Sequence, residues 1–178
     1  TGMRMVPMKP AFRKVTRVVR DVSRRSGKSV RLVTSGEDTE LDRTMVDILA
    51  DPLVHMVRNA VDHGIESPEE RAAAGKDPEG VIRLNAYQTG GNVVVEISDD
   101  GRGLDREKLL RKAVERGVVE SDRGLSDEDV DQLIFAAGFS TAEEVTDISG
   151  RGVGMDVVRK SVESLRGRVE IDSTPGRG

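Results

Sequence analysis

Apolar residues recur along this chain at two spacings, and the switches between them mark its elements. Phe12, Val15, Val18, Val19 and Val22 are three or four apart, with basic residues between them. That spacing predicts a helix with one buried face, stopped by Gly27. Ser29-Val30-Arg31-Leu32-Val33-Thr34 alternates like a half-buried strand. The acidic stretch 37–42 predicts a second short strand or a turn. Helical spacing returns over 51–62. Asp51 is the expected N-cap, Pro52 the first helical residue and Gly64 the stop. Ser67-Pro68-Glu69-Glu70 repeats the device as a capping box. Residues 81–87 and 93–97 predict two strands joined by Gly90-Gly91-Asn92, a hairpin turn. Asp105 is expected to cap a helix to about residue 115, and Ser126 with Asp129 another ending near 136. Over 137–152 no period holds and Gly, Ser and Thr are frequent, so a mobile loop is expected. A helix over 153–165 and a strand over 169–171 complete the pattern. Residues 1–8, with three methionines and Pro7, read as a linker from a preceding domain.

Helices followed by paired strands, without strict alternation, predict an α+β sandwich with helices on one face of a mixed sheet. Apolar residues make up 36% and charged residues 34%, enough for a real core under a heavily charged surface. With three Phe, one Tyr and no Trp, that core is built from Val, Leu, Ile, Met and Ala. Few stacking platforms and a net charge of −4 argue against a nucleic-acid partner. The lack of cysteine excludes disulfides and thiolate metal sites. No apolar run is long enough to span a membrane and no signal peptide opens the chain, so a cytoplasmic domain is expected. Its abrupt start and stop read as those of an excised piece.

The helix from 51 carries an unusual polar side. At about 100° per residue, His55, Arg58, Asn59, Asp62 and His63 form one stripe, opposite Leu53, Met56, Val57, Ala60 and Val61. A polar stripe is ordinarily a solvated face. Solvated faces, however, favour strong helix formers such as Lys and Glu, whereas this one holds two His, an Asn and an Asp. Short polar groups over two turns suit ligand contact better. Asn59 can offer a neutral amide oxygen to Mg²⁺, and His55, one turn earlier, can orient a metal-bound water or a phosphate. Zinc would need further nitrogen or sulfur ligands, and the only two histidines are eight apart with no Cys.

Two glycine motifs follow. Ser98-Asp99-Asp100-Gly101-Arg102-Gly103 comes directly after a predicted strand. A carboxylate at a strand end can accept from an adenine amino group, and the glycines allow close backbone approach. The same D-x-G-x-G is also a common acidic turn. Ser149-Gly150-Arg151-Gly152-Val153-Gly154-Met155 opens a helix, where backbone N–H groups and the helix dipole favour an anion. A Rossmann fingerprint would need a strand before G-x-G-x-x-G and an acid about 20 residues on, whereas this segment has G-x-G-x-G after a loop, with almost no chain left after it. Gly27-Lys28-Ser29 supplies only the tail of a P-loop, since position 22 is Val22. In order, the three motifs describe a pocket with a metal end, an adenine end and a phosphate end.

On these residues the chain resembles the ATP-binding domain of GHKL ATPases, the Bergerat fold, and within them the catalytic domain of CheA-type chemotaxis histidine kinases. The likeness runs over nearly the whole chain. It is densest at 40–43, 51–66, 99–103, 138–142 and 149–158, and it assigns a catalytic domain to residues 9–178. It implies that Asn59 coordinates Mg²⁺ and that Asp99 binds the adenine amino group, with Gly101 and Gly103 shaping that wall. Arg58, Asp62 and His63 would lie by the nucleotide. Lys108 and Lys112 would serve the phosphates. Ser140 and Thr141 would belong to a lid, and Gly150, Arg151, Gly152, Val153, Gly154 and Met155 would close over the triphosphate. His55 stands where most sensor kinases, gyrases and Hsp90-type ATPases carry Glu, and the CheA type carries His there. Ala137 stands where the family commonly has Pro, and the family continues past Gly178 into another strand and a regulatory domain.

The resemblance implies a histidine kinase that binds ATP and Mg²⁺ and phosphorylates a histidine on a separate, HPt-like phosphoacceptor domain. Both histidines of this chain fall within the nucleotide motif. The expected partners are that acceptor, the dimerisation and CheW-like regulatory domains of a parent protein, a coupling protein and chemoreceptors. A nucleotide-sensing module without kinase activity and a mechanical ATPase of the gyrase or Hsp90 sort stand as rivals. The mechanical class needs a water-activating Glu, and His55 argues against it.

Overall fold

A computed structural model of the chain describes residues 4–121, 124–136 and 155–178. They form two compact units, one of residues 1–103 with 176–178 and one of residues 104–175.

The first unit opens with strand β1 (Met5–Pro7), inside the stretch expected to be linker, which pairs antiparallel with β3 (Glu40–Asp42). Helix α1 (Lys9–Ser26) buries Phe12, Val15, Val19 and Val22 and ends on Gly27 in the left-handed region, as the spacing predicted. β2 (Val30–Ser35) runs parallel to β4 (Gly80–Thr89), and β4 turns through Gly90 and Gly91 into antiparallel β5 (Asn92–Asp99). The sheet is therefore mixed, in the order β2-β4-β5. The parallel pair requires a crossover, and the chain between β2 and β4 supplies it with helices. Ile82, Leu84 and Ala86 share one face of β4 and are fully buried, while Arg83 and Tyr87 on the other face are exposed. Leu84 and Ala86 pack in one core with Phe12, Val15 and Val19 of α1 and Leu53 and Val57 of the following helix, so the helices cover a single face.

That following helix, α2 (Arg43–Asn59), corrects one expectation. It starts eight residues before Asp51, capped by Asp42, whose carboxylate accepts from Thr44 N–H at 3.1 Å. Pro52 lies inside it, and Asp51 pairs with Lys14 at 3.1 Å. A helix-interior proline costs about 3 kcal/mol. Burial of Val46, Leu53 and Val57 along the same face offsets it, at about 1.5 kcal/mol or more each. A five-residue π turn (Ala60–Gly64) closes the element, and the short α3 (Pro68–Ala73) follows on its Ser67 cap.

In the second unit, Asp105 caps α4 (Arg106–Glu115), and Ser126 with Asp129 forms a full capping box on α5 (Asp127–Gln132). A 3₁₀ turn (Leu133–Phe135) packs against α4, α5 and α6 (Met155–Ser164). Residues 169–171 are not a strand. Their alternation is genuine, but among the described residues no strand offers them a ladder. The expected loop over 137–152 lies outside the described residues.

Candidate functional site

The last turns of α2 hold His55, Arg58 and Asn59 half-buried. Asn59 Nδ2 lies 3.2 Å from His55 Nε2, four residues back on the same face. An amide nitrogen only donates, so in this arrangement the ring accepts at Nε2 and carries its proton on Nδ1. Beyond Asn59 the helix widens, with Ile65 N–H donating to Ala60 O at 2.7 Å, five residues back. Such π turns occur often at functional sites. The wider turn ends the strict 100° stripe, and Asp62 and His63 emerge exposed. Lys28 Nζ donates to Val61 O at 2.7 Å and Asp62 O at 2.8 Å, two carbonyls at the end of the element. Burial, then the charge of Arg102, lowers the Lys28 pKa, against the pull of Asp62, Glu70 and Glu66.

Gly64 joins this helix to the D-x-G-x-G loop. Its carbonyl accepts from Arg102 N–H at 2.9 Å. A Cβ on Gly101 would stand 2.2 Å from that same oxygen, so the loop passes there only without a side chain. A Cβ on Gly64 would meet the Asp99 carboxylate at 3.4 Å. Gly103 adopts φ 77°, the left-handed region. The two neighbouring aspartates have different partners. Asp99 Oδ1 accepts from Gly101 N–H at 2.9 Å, and among the described residues Oδ2 has no hydrogen bond. Asp100 Oδ1 accepts from Val81 N–H at 2.8 Å and Oδ2 from Arg71 Nη2 at 3.1 Å. Burial raises the Asp99 pKa above the ordinary aspartate value, against the Gly101 hydrogen bond. The charges of Asp100 and Glu66 also raise it, and Lys76 opposes them.

Three residues beside the loop escaped the sequence reading. Arg71, on α3, is 1% exposed and bonds Glu66, Asp77 O and Asp100. Lys76 Nζ reaches Glu66 Oε2 at 2.7 Å and the carbonyls of Asp100 and Gly101 at 3.1 and 2.9 Å. Burial would raise the Glu66 pKa. Hydrogen bonds from Lys76 and the backbone, with the charges of Lys76 and Arg71, outweigh it and hold the carboxyl below the usual range. A single Arg in a six-residue helix has no period around it from which burial could be read.

The second unit places Lys108 and Lys112 one turn apart on α4, the first exposed and the second half-buried, and Met155 at the start of α6. Ser140, Thr141, Gly150, Arg151, Gly152, Val153 and Gly154 lie outside the described residues. Among the described residues no three His, Cys, Asp or Glu side chains cluster as a metal cage. A lone amide oxygen on Asn59 still fits magnesium, which takes one or two protein oxygens and completes its shell with phosphates and water.

The family model of the histidine kinase-, DNA gyrase B- and HSP90-like ATPases matches residues 48–178. The chemotaxis protein CheA of Rhizobium meliloti is 56% identical over 177 residues, covering 99% of this chain and 23% of that protein. CheA of Bacillus subtilis is 48% identical over 179 residues, covering 99% and 27%. The sensor histidine kinase CheAY of Helicobacter pylori is 51% identical over 177 residues, covering 98% and 22%. The chain thus spans about a quarter of the length of these relatives. Among solved structures, the catalytic domain of histidine kinase ThkA superposes with a TM-score of 0.51 at 18% identity, covering 92% of this chain and 82% of that one. The Acinetobacter baumannii histidine kinase AdeS gives 0.53 at 13% identity, covering 98% and 62%. These structural matches show the shared α+β fold. The chain belongs to the histidine kinase-, DNA gyrase B- and HSP90-like ATPase family, as an ATP-binding domain of the CheA type.

Proposed function

We propose that residues 9–178 act as the catalytic domain of a chemotaxis-type histidine kinase, which binds ATP with Mg²⁺ and transfers the γ-phosphate to a histidine on a separate HPt-like domain. One observation carries the reading. The Asp99 carboxylate, bonded to Gly101, lies against Gly64 at the end of the helix that bears His55 and Asn59. The carboxylate proposed to recognise the base and the amide proposed to bind the metal thus lie on two segments that meet at Gly64. Asp99 Oδ2 is suited to accept from the adenine amino group. Asn59 carries the amide oxygen that would ligate a hard cation, and His55, 3.2 Å from its Nδ2, would orient the amide and metal-bound water. The cation would neutralise phosphate charge.

In the transfer, the bond from the γ-phosphorus to the bridging oxygen breaks as one to an imidazole nitrogen forms. ADP leaves and the imidazole gives up its proton. The protein's share is positioning and charge stabilisation. Arg58, Asp62 and His63 follow from the same helix as nucleotide neighbours. Lys108, Lys112, Ser140, Thr141 and residues 150–155 take their proposed phosphate-side roles from the family likeness. The same likeness suggests a cytoplasmic parent protein whose other domains dimerise and bind a coupling protein and chemoreceptors. No helix among the described residues is long and apolar enough to cross a membrane.

The test is calorimetric titration of ATP with and without Mg²⁺, beside phosphorylation of an isolated acceptor domain. Asn59→Ala, which removes the oxygen ligand, is expected to abolish the magnesium dependence and Asp99→Asn to remove most of the ATP affinity. Wild-type transfer by either variant refutes the assignment of that residue.

A further inference from the structure

The nucleotide reading uses Asp99 and leaves unexplained why a buried guanidinium and an ammonium converge beside it. Glu66, Arg71, Lys76 and Asp100 carry two positive and two negative charges. A stabilising ion pair would need only Arg71 with Glu66, 3.1 Å apart. Yet three hydrogen bonds from the two cations end on backbone carbonyls of the loop: Arg71 Nη1 on Asp100 O at 3.2 Å, and Lys76 Nζ on Asp100 O at 3.1 Å and Gly101 O at 2.9 Å. A fourth, from Arg71 Nη2, holds the Asp100 carboxylate, which is also anchored to β4 through Val81 N–H. Gly101 is the residue whose N–H bonds Asp99 Oδ1. Its carbonyl is therefore gripped from one side while its N–H orients the carboxylate on the other.

We propose that Arg71 and Lys76 are positioning residues for base recognition. They hold the peptides of residues 100–101 in the one arrangement that keeps the Asp99 carboxylate turned toward adenine. The proposal rests on Asp99 as the adenine acceptor. Both cations bond the loop and Glu66, so they act on the base through Asp99. A flexible loop would have to order itself as each nucleotide bound, whereas a gripped one meets the base already arranged. Arg is the residue suited to the buried post, because its planar fork fixes separate donors (Nε, Nη1 and Nη2) on Asp77 O, Glu66 and the Asp100 carboxylate, directions that one compact ammonium does not spread over.

The experiment compares ATP with inosine triphosphate, whose base carries an oxygen in place of the adenine amino group. Affinities are measured by calorimetry on the 178-residue chain for Lys76→Met, Arg71→Lys and Asp99→Asn, with circular dichroism to establish folding. Lys76→Met is expected to weaken ATP about tenfold, the size of one lost charge-assisted hydrogen bond, and to leave inosine triphosphate nearly unchanged. Arg71→Lys keeps the charge and should fail to restore the preference for adenine. A purely structural role would lower the melting temperature and leave the ATP preference of the folded fraction intact. If folded Lys76→Met keeps the wild-type preference, the proposal is overturned, even if Arg71→Lys does not fold. If Asp99→Asn alone loses the preference, the clamp is wrong and the adenine reading stands. If Asp99→Asn also keeps it, both fall.

Discussion

Asp99 occupies a costly position. Its carboxyl is partly withdrawn from water, close to Asp100 and Glu66, with one backbone N–H in return. Its pKa in the folded chain lies above the unfolded value, so the folded form holds a proton to higher pH. Asp99 thus contributes stability that is fully present below about pH 3.8 and is lost as pH rises through the raised folded value. Asp99→Asn removes that dependence. Urea melts over a pH series should show the variant gaining on the wild type as pH rises from acid toward neutral. A constant difference between the two would contradict the burial of this carboxylate. On the proposed reading this desolvation suits the site, because a donor from adenine would replace water the carboxylate has lost. Glu66 titrates in the opposite sense: its pKa is lowered, so its contribution is present above the ordinary glutamate range and lost as pH falls through the folded value. No sequence pattern separates these two acids, since the difference lies in burial and in whether cations reach the carboxylate, which the fold sets.

Among the elements, the π turn Ala60–Gly64 does the most to shape the site. It carries the backbone from Asn59 to Gly64, and Gly64 in turn carries Arg102 and leaves room for Gly101. Lys28, at the loop after α1, ties down its carbonyls from outside. Lys28→Met should leave α2 intact and speed amide exchange over 60–65, with a loss of about 1 kcal/mol or less, since the lysine is partly solvated. Unchanged exchange there would show that the turn holds without it. Much at this scale was readable in advance. The Gly27 stop, the Ser67 and Ser126 caps and the Gly90-Gly91 turn all act through backbone conformations only certain residues favour. Pro52 misled because it is a start signal only when nothing stabilises the turns before it, and here Val46 and Asp42 do so. The π turn itself leaves no mark in the apolar spacing.

At the scale of the whole chain, the backbone divides into two compact units. Phe135 in the second is 5% exposed, on a 3₁₀ turn packed against three helices, with Arg159 over its ring at 5.4 Å. Phe135→Ala is expected to cost about 3 kcal/mol and to lower exchange protection within 104–136 and 155–175. Protection of α1, α2 and β4 should change far less, and an equal loss across both units would argue for one cooperative body. The sequence alone determined the class of the fold, most element boundaries in the first unit, and the family with its motif residues His55, Asn59 and Asp99. The first two follow from periodicity, caps and turn chemistry, which act over a few residues, and the family follows from the likeness of stretches such as 51–66 and 99–103. Only the tertiary structure decided that Asp99 is the partly desolvated acid and Asp100 the anchor, and that Arg71 and Lys76 bond the loop at 100–101 while Lys28 bonds the turn before it. Burial and charge pairing depend on contacts between residues as many as 34 positions apart, and no local pattern encodes them.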